Sequence, residues 1–364
     1  MKFSANKSAL FEGLQKVQNV VGTRSTLPIL ANVLIEAGKE NICLTTTDLD
    51  VTVKTTVQAK IGKPGSITLP VRRLSSIVRE LPDEEIAIEV DDKNMATVTC
   101  GTAYFKVLGI GADDFPEVPD QTDEYGYTIG QGTFREMLRK CSYSASSDET
   151  RHVLNGVLLS FKQGKLTVVA TDGRRLALVE HELDFPAEAE TDVILPSKAV
   201  MELQHTLGAN GDMKVFVKKN QMMFEFGDTF IASKLIDGTY PNYRQVIPAQ
   251  CEERITVERE MLATALRRVS LVSTDKSSAV KLNFAKNRLT IVMSSPEVGE
   301  ARDTIAIKYS GKEISVAFNP EYMSEPLKIL DHDEVYIELI DDLSPGVIKC
   351  DSPFLYVLMP MRIS

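Results

Sequence analysis

One apolar pattern recurs three times along the chain at a spacing of about 124 residues. Leu10, Leu14 and Val17 fall on Phe134, Leu138 and Cys141, and then on Leu262, Leu266 and Val269; each set is spaced i, i+4, i+7 and marks one face of a helix. The same offset carries Thr47-Asp48 onto Thr171-Asp172, and nearly the same one reaches Ser294-Ser295. Further on, "SITLPVRRLSSIVREL", "DVILPSKAVMELQHTL" and "ISVAFNPEYMSEPLKIL" each run from an alternating strand into an amphipathic helix, with Pro70, Pro196 or Asn319 at the junction, where proline suits a helix start. Each unit reads helix, strands, helix, strands. A chain of 364 residues built this way folds as three like domains with six helices, not around one large core. Hairpin-like alternation favours antiparallel sheets. Stretches rich in Pro, Gly and acids, "GADDFPEVPDQTDEYG" and "DGTYPNYRQVIPAQCEE", set expected domains at 1–122, 127–248 and 254–364.

Catalytic chemistry finds little support. His152, His181, His205 and His332 share no metal spacing, and "DHDE" at Asp331 to Glu334 reads as a solvated turn before a strand. Cys43, Cys100, Cys141, Cys251 and Cys350 form no Cys-x-x-Cys and read as small core hydrophobes, without disulfides or zinc. Phosphate loops and nucleophile elbows are absent. The Thr-Asp corner becomes Ser-Ser-Pro in its third copy, which fits a turn held by side-chain to backbone hydrogen bonds better than a catalytic dyad. No cofactor, metal or catalytic residue is expected. No apolar run reaches the ~18 residues of a membrane span and the start lacks a signal-peptide pattern, so a cytoplasmic protein is expected.

The net charge of -10 argues against a simple basic nucleic-acid-binding domain. The helices qualify that conclusion. Leu74, Ile77, Val78 and Leu81 make one apolar face while Arg72, Ser76 and Arg79 line the other, and Arg135, Arg139, Arg267 and Arg268 stand opposite the apolar faces of two more helices. Lys198 and His205 share a face with Glu202, so the basic signal is partial.

Seven segments, "MKFSANKSAL", "RSTLPILANVLI", "LTTTDLDV", "LNGVLLSF", "VATDGRRLALV", "SKLIDGTYPNYRQVIP" and "YVLMPMRIS", together resemble the bacterial DNA polymerase III beta subunit family, the sliding clamps. The match spans the chain in order. It implies an α+β clamp fold of three similar domains, each with two helices packed on antiparallel sheets, closed head to tail as a homodimeric ring around duplex DNA. Twelve helices at ~9 Å spacing span a circumference of roughly 110 Å and leave a hole of about 25 Å, so two chains make room for a duplex and one does not.

The resemblance also implies site residues. For sequence-independent, topological contact with double-stranded DNA it points to Arg24, Arg72, Arg73, Lys198 and the loop residues Arg151, His152 and Val153; His152 and Val153 stand where better-known members carry aromatics. For the dimer it points to Phe105 and Val107 on one sheet edge and Leu271 and Val272 on the partner's third domain. A peptide pocket is implied at Leu154, Thr171, Gly173, Arg174, Arg175 and Leu176, with Pro241, Gln245 and Val246, and with Val357, Met359, Pro360, Met361 and Arg362. This makes an apolar cleft, adaptable through its methionines and rimmed by Arg175 and Arg362, with Gln245 where a basic residue is usual. Implied partners are the polymerase III alpha subunit, the clamp-loader delta subunit, translesion polymerases, mismatch-repair proteins and DNA ligase. The expected function is a non-catalytic processivity factor associated with the nucleoid. A monomeric peptide-binding adaptor and a duplicated metabolic enzyme are the alternatives.

Overall fold

The computed structural model describes residues 1–22, 27–119, 125–248, 253–273 and 279–362. Arg24 and Cys251 lie outside the described residues. Six α-helices occur at the repeated positions among these: α1 (Lys7–Gln18), α2 (Val71–Glu80), α3 (Gln131–Cys141), α4 (Ser197–Thr206), α5 (Arg259–Val269) and α6 (Pro320–Ile329). The three apolar triads that define the repeat are each buried to 1% exposure or less. Local chemistry fixes the ends. Asn6 accepts from the amides of Ser8 and Ala9 to start α1, Asn319 does the same for Glu321 and Tyr322 at α6, and Pro320 occupies the first turn of α6.

The chain divides into two compact units, Met1–Arg135 with Lys198–Leu235, and Glu136–Ser197 with Ile236–Ser364. In the first, an antiparallel five-stranded sheet runs in the order Lys60–Lys63, Lys2–Asn6, Glu85–Val90, Met95–Cys100 and Ala103–Leu108. The strand Ala103–Leu108 is therefore an open edge. An eight-stranded antiparallel sheet takes four strands from the second repeat, then four from the first, joined where Thr229–Lys234 pairs with Val51–Gln58 in the register Ile231 to Val53. Helices α1 and α2 pack together, with Leu10, Leu14 and Val17 of one and Val71, Leu74 and Val78 of the other fully buried.

The second unit repeats the plan. Its eight-stranded sheet is joined where Arg175–Glu182 pairs with Ser352–Leu358, in the register Ala177 to Tyr356. A four-stranded sheet follows the order Gly299–Ala306, Arg288–Ser295, Val280–Ala285 and Ile314–Phe318, which leaves Gly299–Ala306 as an edge. Leu262, Ala265, Leu266 and Val269 of α5 and Met323 and Leu327 of α6 are buried. Strands with the period-two pattern, such as Met95–Cys100 and Glu334–Leu339, alternate half-buried with buried, while Gly156–Phe161 is buried at every position. Both eight-stranded sheets thus cross a repeat boundary, because an unpaired strand edge of one repeat meets an unpaired edge of the next.

The acid Glu202 of α4 is only 5% exposed. Burial pushes its pKa up to about 7 from an ordinary 4.5, offset in part by a hydrogen bond from Thr206 and by the charge of Lys198. A raised carboxyl pKa stabilises the folded chain fully below pH 4.5, and this contribution is lost as pH rises through 7. Glu202→Gln cannot ionise, so its stability advantage over the wild type should grow by about 2 kcal/mol between pH 5 and pH 8. Urea denaturation at the two pH values checks this; an equal gap at both would remove the assignment.

Candidate peptide cleft and DNA-facing residues

The expected pocket residues gather around a five-residue turn, Thr171 to Arg175, that joins two strands of the second unit. The Thr171 hydroxyl donates to the Arg175 carbonyl (2.6 Å) and accepts from the Gly173 amide (3.0 Å). Asp172 Oδ1 accepts from the amides of Arg174 (2.8 Å) and Arg175 (3.1 Å). Gly173 sits at φ +84°, a left-handed conformation that favours glycine. The Thr-Asp corner is therefore a side-chain-capped turn, and Thr47 to Val51 makes the same bonds in the first unit: Thr47 Oγ1 to the Val51 carbonyl (3.1 Å) and from the Leu49 amide (3.1 Å), Asp48 Oδ1 from the amides of Asp50 (3.1 Å) and Val51 (2.8 Å).

Beside the turn the second unit assembles a buried apolar cluster. Leu158, Val169, Leu176, Ile194 and Val357 form a buried cluster, with Val153, Tyr240, Tyr243 and Ile247 packed against it. The Tyr240 hydroxyl accepts from the Thr171 amide (3.0 Å), and its burial raises the phenol's pKa. The segment after the strand Ser352–Leu358 runs beside the turn: the Met359 amide donates to the Arg174 carbonyl (2.9 Å) and the Met361 amide to the Ala317 carbonyl (2.8 Å). Of the expected pocket residues, Leu154, Leu176 and Val357 are buried, Thr171, Pro360 and Met361 are half-buried, and Gly173, Arg174, Pro241, Gln245, Val246, Met359 and Arg362 are exposed.

Arg175 departs from expectation. The resemblance puts it on the rim, yet it is buried, its Nε donating to Asp172 Oδ2 (3.1 Å) and its Nη2 to the Tyr143 carbonyl (2.7 Å). Its guanidinium lies 4.2 Å from the Tyr322 ring centroid and meets the Glu325 carboxylate, both residues of α6. Charge demands this: a guanidinium removed from water needs carboxylate and carbonyl partners. Tyr143, Tyr240, Tyr322 and Glu325 are not among the expected site residues, although Tyr240, Tyr322 and Glu325 lie inside segments quoted above. They come from distant parts of the chain, and spacing does not link them.

The expected DNA residues divide. Arg72 and Arg73 are exposed on α2, and Arg72 also donates to the Val21 carbonyl (2.9 Å). Lys198 on α4 is occupied by the Val20 carbonyl (3.1 Å) and the Asp48 carboxylate. Arg151 binds Asp148 Oδ2 (3.0 Å) and the Asp172 carbonyl (2.8 Å) while staying exposed; His152 is exposed, and Val153 packs against the buried apolar cluster. Arg267 and Arg268 are exposed on α5 as the pattern required.

Of the expected dimer residues, Phe105 is 38% and Leu271 80% exposed, and Val272 is half-buried. Val107 is a correction. At 4% exposure it belongs to the core of its own chain, and Tyr104 and Leu108 are the other exposed apolar residues of that edge strand, at 57% and 64%. Alternation explains it, since one face of an edge strand still covers its own sheet. Leu271 borders a cleft of about 780 Å³ between α5 and α6.

Among the described residues no His, Cys, Asp or Glu cluster is placed to hold a metal, and no helix is long and apolar enough to cross a membrane. Models of the DNA polymerase III beta subunit match in succession: its N-terminal domain at residues 1–119, its central domain at 128–242 and its C-terminal domain at 244–362. The beta sliding clamp of Chlamydia muridarum is 34% identical across 100% of this chain and 99% of its own length, and that of Escherichia coli K12 is 32% identical across all of both. A solved sliding clamp from Bartonella birtlesii, bound to griselimycin, superposes over all of both chains with a TM-score of 0.95 at 34% identity. Helices packed on antiparallel sheets in three successive clamp domains agree with these matches: the chain belongs to the DNA polymerase III beta subunit family, the sliding clamps that serve DNA replication as non-catalytic processivity factors.

Proposed function

We propose that two copies close head to tail into a ring that encircles duplex DNA without reading its sequence, and that the cleft at Thr171 to Arg175 holds the proteins that work on that DNA. The observation that carries the ring is a pair of unlike open sheet edges, Ala103–Leu108 in one unit and Gly299–Ala306 in the other. Pairing each with the other edge on a second copy closes both at once, and a heterologous contact that closes makes a ring where an open one would make a filament. Tyr104, Phe105 and Leu108 then meet the partner's surface around Leu271 and Val272. The domains run 1–122, 127–248 and 254–364, and basic side chains, foremost Arg72 and Arg73 on α2 and Arg151 in its loop, touch phosphates loosely enough to slide. Lys198, His152 and Val153 complete the proposed DNA-facing set, and Arg24 is an expected contact outside the described residues.

The cleft offers apolar floor, methionine wall and exposed Arg174 and Arg362, which suits a short peptide with glutamine and large apolar anchors. Its users are the polymerase alpha subunit, the clamp-loader delta subunit, translesion polymerases, mismatch-repair proteins and ligase, all in the cytoplasm at the nucleoid. The direct test of encirclement is loading onto nicked circular DNA followed by linearisation. The protein should be lost from the linear DNA and kept on the circle; retention on both would overturn the ring.

A further inference from the structure

The two copies of the turn are alike in backbone and differ in what holds them from outside. In each, Asp Oδ1 caps two amides and the next strand docks on the turn, through the Lys234 amide to the Asp50 carbonyl (2.9 Å) in one case and the Met359 amide to the Arg174 carbonyl (2.9 Å) in the other. The second carboxylate oxygen goes elsewhere. Asp48 Oδ2 takes Lys198 of α4, so the first turn is tied directly to the second helix of the next repeat. Asp172 Oδ2 takes Arg175, which in turn holds Glu325 and Tyr322 of α6 and the Tyr143 carbonyl. The first copy has Val51, 1% exposed, where the second has Arg175. A buried arginine is thus unnecessary for the turn itself, and burying one is costly.

We propose that Arg175 is a positioning residue, a latch that fixes α6 and the chain end beside it to the turn, and so sets the width of the cleft without touching the bound peptide. The proposal rests on the cleft being the peptide site. Of the cleft's two walls, one is the turn, with Thr171 and Leu176; the other runs through Met359 to Met361, tied to the Ala317 carbonyl shortly before α6 begins. Among the described residues, only the Arg175 ion pairs join the turn to α6 by charge. The Met359 amide and the pairing of Arg175 with Leu358 still hold the near end of that wall to the turn. Losing the latch frees α6 and the Ala317 end of the wall, and a rigid anchor loses affinity in a looser groove.

The test uses full-length protein and a short glutamine-containing apolar peptide in two forms, one with neutral and one with acidic flanks. Arg175→Met, Glu325→Gln and their double variant are measured by calorimetry well below their melting temperatures, with Met361→Ala in parallel. Each latch variant should weaken both peptides by about tenfold. The double variant should be no weaker than the worse single one, because both changes open the same link. Glu325→Gln keeps the side chain's shape and serves if Arg175→Met fails to fold. A loss confined to the acidic peptide would mean that Arg175 touches the peptide, and would overturn the latch. Unchanged affinity in Glu325→Gln and Arg175→Met while Met361→Ala binds weakly would overturn the latch alone; unchanged affinity in all of them would overturn the cleft with it.

Discussion

Leu271→Asp should turn the dimer into single chains, halving the mass seen by light scattering at micromolar concentration. Leu271 is 80% exposed in the isolated chain, beside a cleft of about 780 Å³. Burying a leucine contributes about 1.5–3 kcal/mol, and an aspartate buried there instead adds an unpaired-charge penalty of at least ~2 kcal/mol. A closed ring of two copies contains the contact twice. The combined loss, about 8 kcal/mol, corresponds to a dissociation constant raised by roughly 10⁵ or more, enough to dissociate a nanomolar dimer at any practical concentration. Phe105→Asp on the opposing edge should act alike. Met201→Asp, a change at another exposed apolar residue (62%) outside the proposed contact, should leave the mass unchanged. A Leu271→Asp protein that still scatters as a dimer would place the contact elsewhere.

Truncating Val246 and Met361 together should weaken peptide binding by about 100-fold. Val246 and Met361 come from the linker and the chain end, respectively, and make no hydrogen bond to each other that would couple them. Each truncation to alanine removes an apolar anchor contact of about 1–2 kcal/mol. Independent contacts add, so Val246→Ala with Met361→Ala should lose close to the sum of the single losses, by calorimetry with the glutamine-containing peptide. This additivity contrasts with the latch pair, whose members share one link. Affinity equal to that of the wild type in the double variant would dismiss the cleft as the peptide site.

Much of this fold is legible because duplication is legible. Leu10, Phe134 and Leu262 sit at one helical phase, and so the repeat exposes six helices and their buried faces before any three-dimensional information. The capped turn is legible for the same reason, since Thr and Asp have a local hydrogen-bonding habit. What escapes is what depends on partners far along the chain. Nothing in "ATDGRRLA" tells which arginine points outward; Arg174 is exposed and Arg175 buried because Asp172, Tyr143, Tyr322 and Glu325 converge on the second. Val107 was misplaced by a similar cause. An edge strand announces itself by sequence, but which of its faces already covers a core depends on the sheet beneath it. The sharing of sheets between repeats was equally hidden, because strand pairing across Thr229–Lys234 and Val51–Gln58 involves residues separated by more than a whole repeat.

That shared pairing orders events during synthesis. As the chain leaves the ribosome, Val51–Gln58 has no neighbour on one side until Thr229–Lys234 emerges, and Arg175–Glu182 waits in the same way for the last strand, Ser352–Leu358. A stalled or truncated nascent polypeptide would thus present a bare strand to its neighbours on the polysome.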